Sequence, residues 1–241
     1  MLNRLAPAAS NLWKKARLLQ GIVEGETAFA APIYVDIDLT RRCNLRCAAC
    51  PYHSLYREDD RHAAIECDIS RATVEHLCRE LRDMGTASII IIGDGEPLLH
   101  PDLPELLSRI RARGWPFGIL ASGMGLDAAW ARRFRELGTR HVQISIEGCR
   151  ATHDSIRGEG SFDAALAGAR HLREAGVSVT FAMTLSRRTA PDLPAVLALA
   201  RERADRVGFH RLVPCGKGAD LATYALVSAT IGKYCGATAL T

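Results

Sequence analysis

Long apolar runs are absent: no stretch of the 241 residues approaches the roughly 18 uninterrupted apolar residues that a membrane-spanning helix needs. Aromatic residues are scarce at 6%, yet 48% hydrophobic and 24% charged is ordinary globular usage, which excludes disordered, collagen-like and low-complexity classes. Acid is missing from the first 20 residues, which carry Arg4, Lys14, Lys15 and Arg17. Those four account for the whole formal charge of +4, since removing them from the 31 basic residues leaves 27 against 27 acidic ones. The body therefore has no basic surplus of the kind that draws a fold to nucleic acid. The N-terminus also lacks a continuous apolar stretch followed by a cleavage pattern, so a secretory signal is not expected. Without secretion, the eight cysteines do not read as a disulfide framework. They suit a reducing cytoplasm and direct attention to thiolate metal ligands.

Phosphate-binding fingerprints are missing too. Gly216-Lys217 is not followed by Ser or Thr, and Gly93-x-Gly95 and Gly123-x-Gly125 each lack the third glycine of a dinucleotide loop. Met1–Gln20 reads as an amphipathic leader helix rather than a transit peptide, with Leu5, Leu12, Trp13, Leu18 and Leu19 expected to pack on the body.

What is present is an alternation of strands and helices. Ile33–Leu39 reads as a strand, and Ser70 caps a helix carrying Val74, Leu77, Cys78, Leu81 and Met84 at helical spacing up to Gly85. Ser88–Ile92 is a short continuous apolar strand of the buried parallel type. A helix with Leu103, Leu106, Leu107 and Ile110 ends at Gly114, and Phe117–Ala121 is the third strand. Asp127 caps the next helix, which stops near Leu137-Gly138, and His141–Ile146 follows as strand four. Phe162–Glu174 is helical, Val177–Met183 is strand five, Leu193–Arg203 is helical and Arg206–Val213 is strand six. Six such units predict parallel strands joined by right-handed crossovers. They give a partial (β/α)6 TIM-like barrel over 33–215, after a basic leader region, 1–32. The pattern stops near Val213. Residues 216–241, ending Cys235-Gly-Ala-Thr-Ala-Leu-Thr, read as the start of a further element.

In such folds chemistry collects at the carboxyl ends of the strands. The loop after strand one is Thr40-Arg-Arg-Cys43-Asn-Leu-Arg-Cys47-Ala-Ala-Cys50-Pro51. Strand two runs into Gly93-Asp94-Gly95-Glu96-Pro97, strand three into Ser122-Gly123-Met124-Gly125, and strand four into Glu147-Gly148. Three thiolates in one loop suit an iron–sulfur cluster that keeps one iron open, because fully ligated clusters use four cysteines. Cys43, Cys47, Cys50 and His53 would equally complete a Cys3His zinc tetrahedron. Glycines in the second turn allow close backbone approach to a ligand, and Glu96 or nearby carbonyls can accept from an ammonium group.

Cys43-x3-Cys47-x2-Cys50 after the first strand, followed by Gly95-Glu96-Pro97 after the second, resembles the radical S-adenosylmethionine (SAM) enzymes. The similarity continues through Ile144-Ser-Ile-Glu-Gly148, His153-Asp-Ser-Ile-Arg-Gly158 and Ser161-Phe-Asp163, and is closest to the subgroup whose barrel precedes a SPASM or twitch domain. That resemblance implies a [4Fe–4S] cluster on Cys43, Cys47 and Cys50 with SAM on its fourth iron. Reductive cleavage would then yield a 5′-deoxyadenosyl radical that abstracts hydrogen from a peptide or small-metabolite substrate. By position, Gly95, Glu96 and Pro97 would receive the SAM amine. Ser122 and Ser145 would meet ribose or carboxylate, and Arg157 would pair with the carboxylate. A low-potential donor such as flavodoxin or ferredoxin is implied as electron partner. Asp94, Ala49 and Glu147 depart from the commoner residues of these motifs, so Tyr52 is a candidate support for adenine. The subgroup's auxiliary domain is expected to be absent, with Cys235 a remnant of its first cysteine stretch. The reading from a different class is a non-catalytic zinc scaffold, or an inactive truncated barrel.

Other candidates read more plainly. Cys78 belongs to an apolar helix stripe, Cys67 and Cys149 are incidental, and Cys215 is a lone thiol after strand six. His100 starts a helix and Arg187-Arg188 is a solvated loop. His210 alternates with Gly208 and Leu212, toward either the barrel interior or the core.

Overall fold

Short β-branched strands separated by amphipathic helices give the architecture its order. The structure, a computed structural model, describes residues 6–48, 50, 68–84, 86 and 88–212. The strands are β1 (Tyr34–Asp38), β2 (Ser88–Ile92), β3 (Phe117–Ala121), β4 (His141–Ser145), β5 (Ser178–Leu185) and β6 (Arg206–Arg211). They form one sheet in sequence order, every neighbouring pair parallel. The helices are α1 (Ala6–Glu24), α2 (Arg71–Met84), α3 (Leu103–Ala112), α4 (Ala128–Glu136), α5 (Arg150–Arg157), α6 (Ser161–Glu174) and α7 (Leu193–Arg203). Among the described residues β1 and β6 are both edges, so the sheet is an open six-stranded arc rather than a closed barrel.

The core lies between the convex face of this arc and its helices. Register puts Ile37, Ile91, Ile119, Val142 and Val179 in one row and Ala121, Ile144 and Phe181 in the next, and all are buried. Against them α3 sets Leu103, Leu106, Leu107 and Ile110, the i, i+3, i+4, i+7 stripe of a core-facing helix, each with no exposed surface. Burying one such side chain contributes about 1.5–3 kcal/mol. The caps form as the residue types require: the Asp127 carboxylate accepts from the Trp130 N–H at 2.8 Å, and the Ser70 hydroxyl accepts from the Thr73 N–H at 3.1 Å.

Two expectations need correction. Helix α1 forms, but Trp13, Leu18 and Leu19 do not pack on the sheet: they are 61%, 39% and 61% exposed. Among its described side chains, the Arg17 guanidinium lies 4.7 Å from the Trp13 ring of the same helix and 5.9 Å from the Phe29 ring just beyond it. Helix α5 was not anticipated, because its eight residues bury only His153 and Ile156 and offer no sustained apolar period. No described helix is long and apolar enough to cross a membrane. Gly85, Cys67, Cys215, Cys235 and the segment 216–241 lie outside the described residues.

Candidate active site

The loop that follows β1 is pinned before it reaches its cysteines. The Thr40 hydroxyl donates to Asp68 at 2.6 Å, and Asp68 also accepts from Arg42 Nε at 3.0 Å. The β1–β2 pairing then continues past the strands: the Gly95 N–H donates to the Thr40 carbonyl at 3.0 Å and the Glu96 N–H to the Arg42 carbonyl at 2.7 Å. Gly95 is required here, since a Cβ would sit 2.1 Å from the Arg42 carbonyl oxygen. On the far side the Ala48 N–H donates to the Ile156 carbonyl at 2.7 Å, tying the same loop to α5. The cysteine loop, the glycine turn and α5 are therefore one hydrogen-bonded unit.

That unit lines a cavity of about 320 Å³ at the carboxyl ends of the strands. Cys43, Cys47 and Cys50 are on it as half-buried thiols, with Gly95, Glu96, Pro97, Ser122, Ser145 and Arg157. All nine residues singled out from the sequence thus share one cavity. Burial pushes the Cys43 thiol up to about 11, and it raises Cys47 as well, there opposed by the charge of Arg157. Ligation needs thiolates, so a bound cation or the Arg157 charge must offset that burial.

Glu96 is 3% exposed. Its Oε2 accepts from the Ser122 N–H at 2.8 Å, while its Oε1 is buried with no hydrogen-bond partner among the described residues. Burial raises its pKa despite that bond. A buried carboxylate oxygen without a donor, beside three thiols, fits a ligand that brings an ammonium group. The Ser122 hydroxyl accepts from the Met124 N–H at 3.2 Å, which fixes its direction at the rim. Asp94 turns away to Arg41 (3.5 Å) and toward Asp38, whose pKa burial and the Asp94 charge both raise.

Arg157 is held by a residue outside the expected set. Its Nε and Nη2 donate to Glu147 Oε1 at 3.1 and 2.6 Å, and Glu147 Oε2 accepts from the Thr184 N–H at 2.9 Å. Burial works against the Arg157 charge, but Glu147, Cys47 and Glu96 outweigh it and hold its pKa above the ordinary value. The Glu147 N–H in turn donates to His153 Nδ1 at 3.1 Å; His153 is fully buried and edge-on to Phe162. Burial lowers the His153 pKa to about 4, so the ring is neutral and carries its proton on Nε2. The signal for Glu147 was its place at the end of strand four, but its pairing with Arg157 is tertiary and has no sequence period.

No three or more Cys, His, Asp or Glu side chains among the described residues converge on a single ion-sized point. Thiolates holding a cluster bind separate irons and need no such convergence. His53 and Tyr52 lie outside the described residues. His100 is buried between the Ile69 carbonyl and the Asp102 N–H as a structural residue, Cys78 is core, and Cys149 is exposed.

The family profile described as the Radical SAM superfamily matches residues 37–200. The chain is 33% identical over 186 residues to an Fe-coproporphyrin III synthase of Methanosarcina barkeri, covering 76% of this chain and 45% of that protein. It is 30% identical over 202 residues to the mycofactocin maturase MftC of Mycobacterium tuberculosis, covering 83% and 50%. Among solved structures, Streptococcus suis SuiB bound to the precursor peptide SuiA superposes with a TM-score of 0.71 at 15% identity, over 85% of this chain and 45% of that one; this likeness concerns the fold. The chain spans about half the length of the curated relatives it matches. With the profile covering most of the patterned body, the chain belongs to the radical SAM superfamily.

Proposed function

We propose that Cys43, Cys47 and Cys50 hold a [4Fe–4S] cluster at which SAM is cleaved reductively, and that the product acts on a peptide or small-molecule substrate. The observation that carries this reading is the convergence of the three thiols and the unpartnered Glu96 Oε1 on one cavity. The chemistry such a cluster supplies is one-electron reduction of the SAM sulfonium, which breaks its C5′–S bond and leaves methionine and a 5′-deoxyadenosyl radical.

The chain's own residues bind, orient and exclude water. The Gly95-Glu96-Pro97 turn receives the amino group, with Glu96 Oε1 as its charged acceptor. Arg157, kept protonated by Glu147, faces the carboxylate and favours the thiolate of Cys47. Ser122 and Ser145 offer hydroxyls to the ribose or carboxylate. Ile92, Leu120 and Leu212 supply apolar wall that keeps the site dry. The electron comes from a low-potential donor such as flavodoxin or ferredoxin, and a thiolate-held cluster suits the reducing cytoplasm. A substrate that is a peptide or a compact metabolite agrees with the names of the relatives, which include a peptide-bound enzyme and an Fe-coproporphyrin III synthase.

Anaerobic reconstitution with iron and sulfide tests the reading. About four irons per chain, with an electron paramagnetic resonance signal that shifts on adding SAM, supports it. A colourless chain that takes up zinc and no iron refutes it.

A further inference from the structure

Helix α5 delivers Arg157 to the cavity, yet it has little of its own to hold it in place. It is eight residues long and buries only His153 and Ile156, and Cys149 at its N-cap makes no side-chain capping bond. Its supports come from the segment between β5 and α7. The β4–β5 ladder runs one step beyond β4, where the Ile146 N–H donates to the Ala182 carbonyl at 2.8 Å. Two residues further along β5, the Thr184 N–H donates to the Glu147 carboxylate at 2.9 Å. Past the strand, the Arg188 guanidinium donates to the Ser155 hydroxyl of α5 at 2.7 Å, and Asp192 Oδ2 accepts from the Cys149 N–H at 2.9 Å. The segment is itself braced. The Ser186 N–H donates to the Thr189 hydroxyl at 2.8 Å, and that hydroxyl donates to the Thr184 carbonyl at 2.6 Å.

Asp192 serves α5 rather than its own helix. It stands at the N-cap of α7, where an aspartate ordinarily accepts from an N–H of the turn it begins, but its side chain makes no such bond. The carboxylate instead satisfies one of the N–H groups that the start of α5 leaves without a helical partner. An anionic group at that end also suits the dipole of α5. The turn between them is fitted to it: Gly148 has a φ of 153°, and a Cβ there would sit 2.6 Å from Asp192 Oδ2 and 2.9 Å from Thr152 Cβ. Asp192 is thus pressed against the residue that follows Glu147. Glu147 and Arg157 line the cavity, and Asp192 lies behind them.

We propose that Asp192 is a positioning residue for SAM binding: from outside the cavity it fixes the Glu147–Cys149 turn, and with it the place at which Glu147 presents Arg157. This rests on the radical SAM reading above and adds how that arginine is aimed. Arg188 on Ser155, an exposed pair, is the lesser support.

In the full chain without SAM, amide hydrogen exchange over 149–157 should quicken about 10-fold in Asp192→Ala. It should return toward the wild-type rate in Asp192→Asn, whose side-chain oxygen can still accept. In the cluster-loaded chain, SAM affinity by equilibrium dialysis should fall about 10-fold in Asp192→Ala, the scale of one hydrogen bond to a charged group. Formation of 5′-deoxyadenosine at saturating SAM should stay within about two-fold of wild type, so the change is in KM rather than kcat. Asp192→Asn should recover most of the affinity, and in an Arg157→Gln background Asp192→Ala should lower it no further. Asp127→Ala, which removes the cap of α4 alone, should leave SAM affinity per folded molecule unchanged, with the folded fraction read by circular dichroism. Unchanged exchange over α5, an equal fall in Asp127→Ala, or an additive loss on top of Arg157→Gln overturns the proposal. A wild-type chain that binds no SAM overturns the radical SAM reading and this role with it. SAM bound equally by wild type and Asp192→Ala overturns this role alone.

Discussion

The two faces of the same six strands are built on different rules. The convex face is a continuous apolar layer in which Ile91, Ile119, Val142, Ile144, Val179 and Phe181 have no exposed surface. The concave face is half-buried and mixed: acid on β1, aliphatic on β2 and β3, amide, hydroxyl and cation on β4 to β6. Because strand side chains alternate, one strand carries both functions without conflict. The convex set specifies the fold, and the concave set, with the loops at its carboxyl edge, specifies the chemistry. A change on one face should therefore have a signature different from a change on the other.

The sharpest break is at the shared edge. Gly95→Ala forces the turn off the Arg42 carbonyl, and SAM affinity should fall about 100-fold or more, since several charge-assisted contacts depend on that turn. Far-UV circular dichroism should stay unchanged, and equilibrium dialysis with labelled SAM reads the loss. On the convex face, Phe181→Ala should cost about 3–5 kcal/mol in urea denaturation by emptying a fully buried site, and should reduce activity only through the folded fraction. An equal loss of specific activity per folded molecule would mean that the two faces are not separable.

Glu147→Gln lies between these cases. It leaves the Arg157 cation with a neutral partner inside the site, and breaking such a pair costs about 3 kcal/mol. It should also weaken SAM binding, whereas Glu147→Asp should restore part of both effects. His153 gives the comparison a pH axis. Its pKa is depressed to about 4 in the fold, against an ordinary value near 6.5, so below that ordinary value the unfolded chain binds a proton that the native chain does not. Stability should be fully retained above pH ~6.5 and decline by on the order of 3 kcal/mol as the pH falls toward 4. Replacing His153 with Phe should flatten that slope in denaturation at pH 7, 6 and 5, and an unchanged slope would assign it to other groups. The smallest effect belongs to α1: Trp13→Ser, at an exposed position, should change stability by less than about 0.5 kcal/mol.

Legibility from sequence followed the same division. The convex layer and the helix stripes could be read because burial imposes a period, as at Leu103, Leu106, Leu107 and Ile110. Strand ends moved by one or two residues, as where Val177–Met183 became Ser178–Leu185, because pairing rather than hydropathy sets them. The cysteine loop and the Gly-Glu-Pro turn were readable from their positions after β1 and β2. The Glu147–Arg157–His153 assembly was not, since its members meet only when α5 folds back beside β4, and α5 itself has just two buried positions. The leader stripe was over-read: apolar spacing in α1 shows an amphipathic helix without showing what its face covers.

The account stands most directly on the thiols being a working cluster site. The decisive measurement is the yield of 5′-deoxyadenosine from the anaerobically reconstituted chain with dithionite and SAM, alongside Cys43→Ala. Product from the wild type, at background levels in the variant, is the predicted result. Iron-loaded wild-type protein that makes no product, or a Cys43→Ala variant that makes as much, would contradict it.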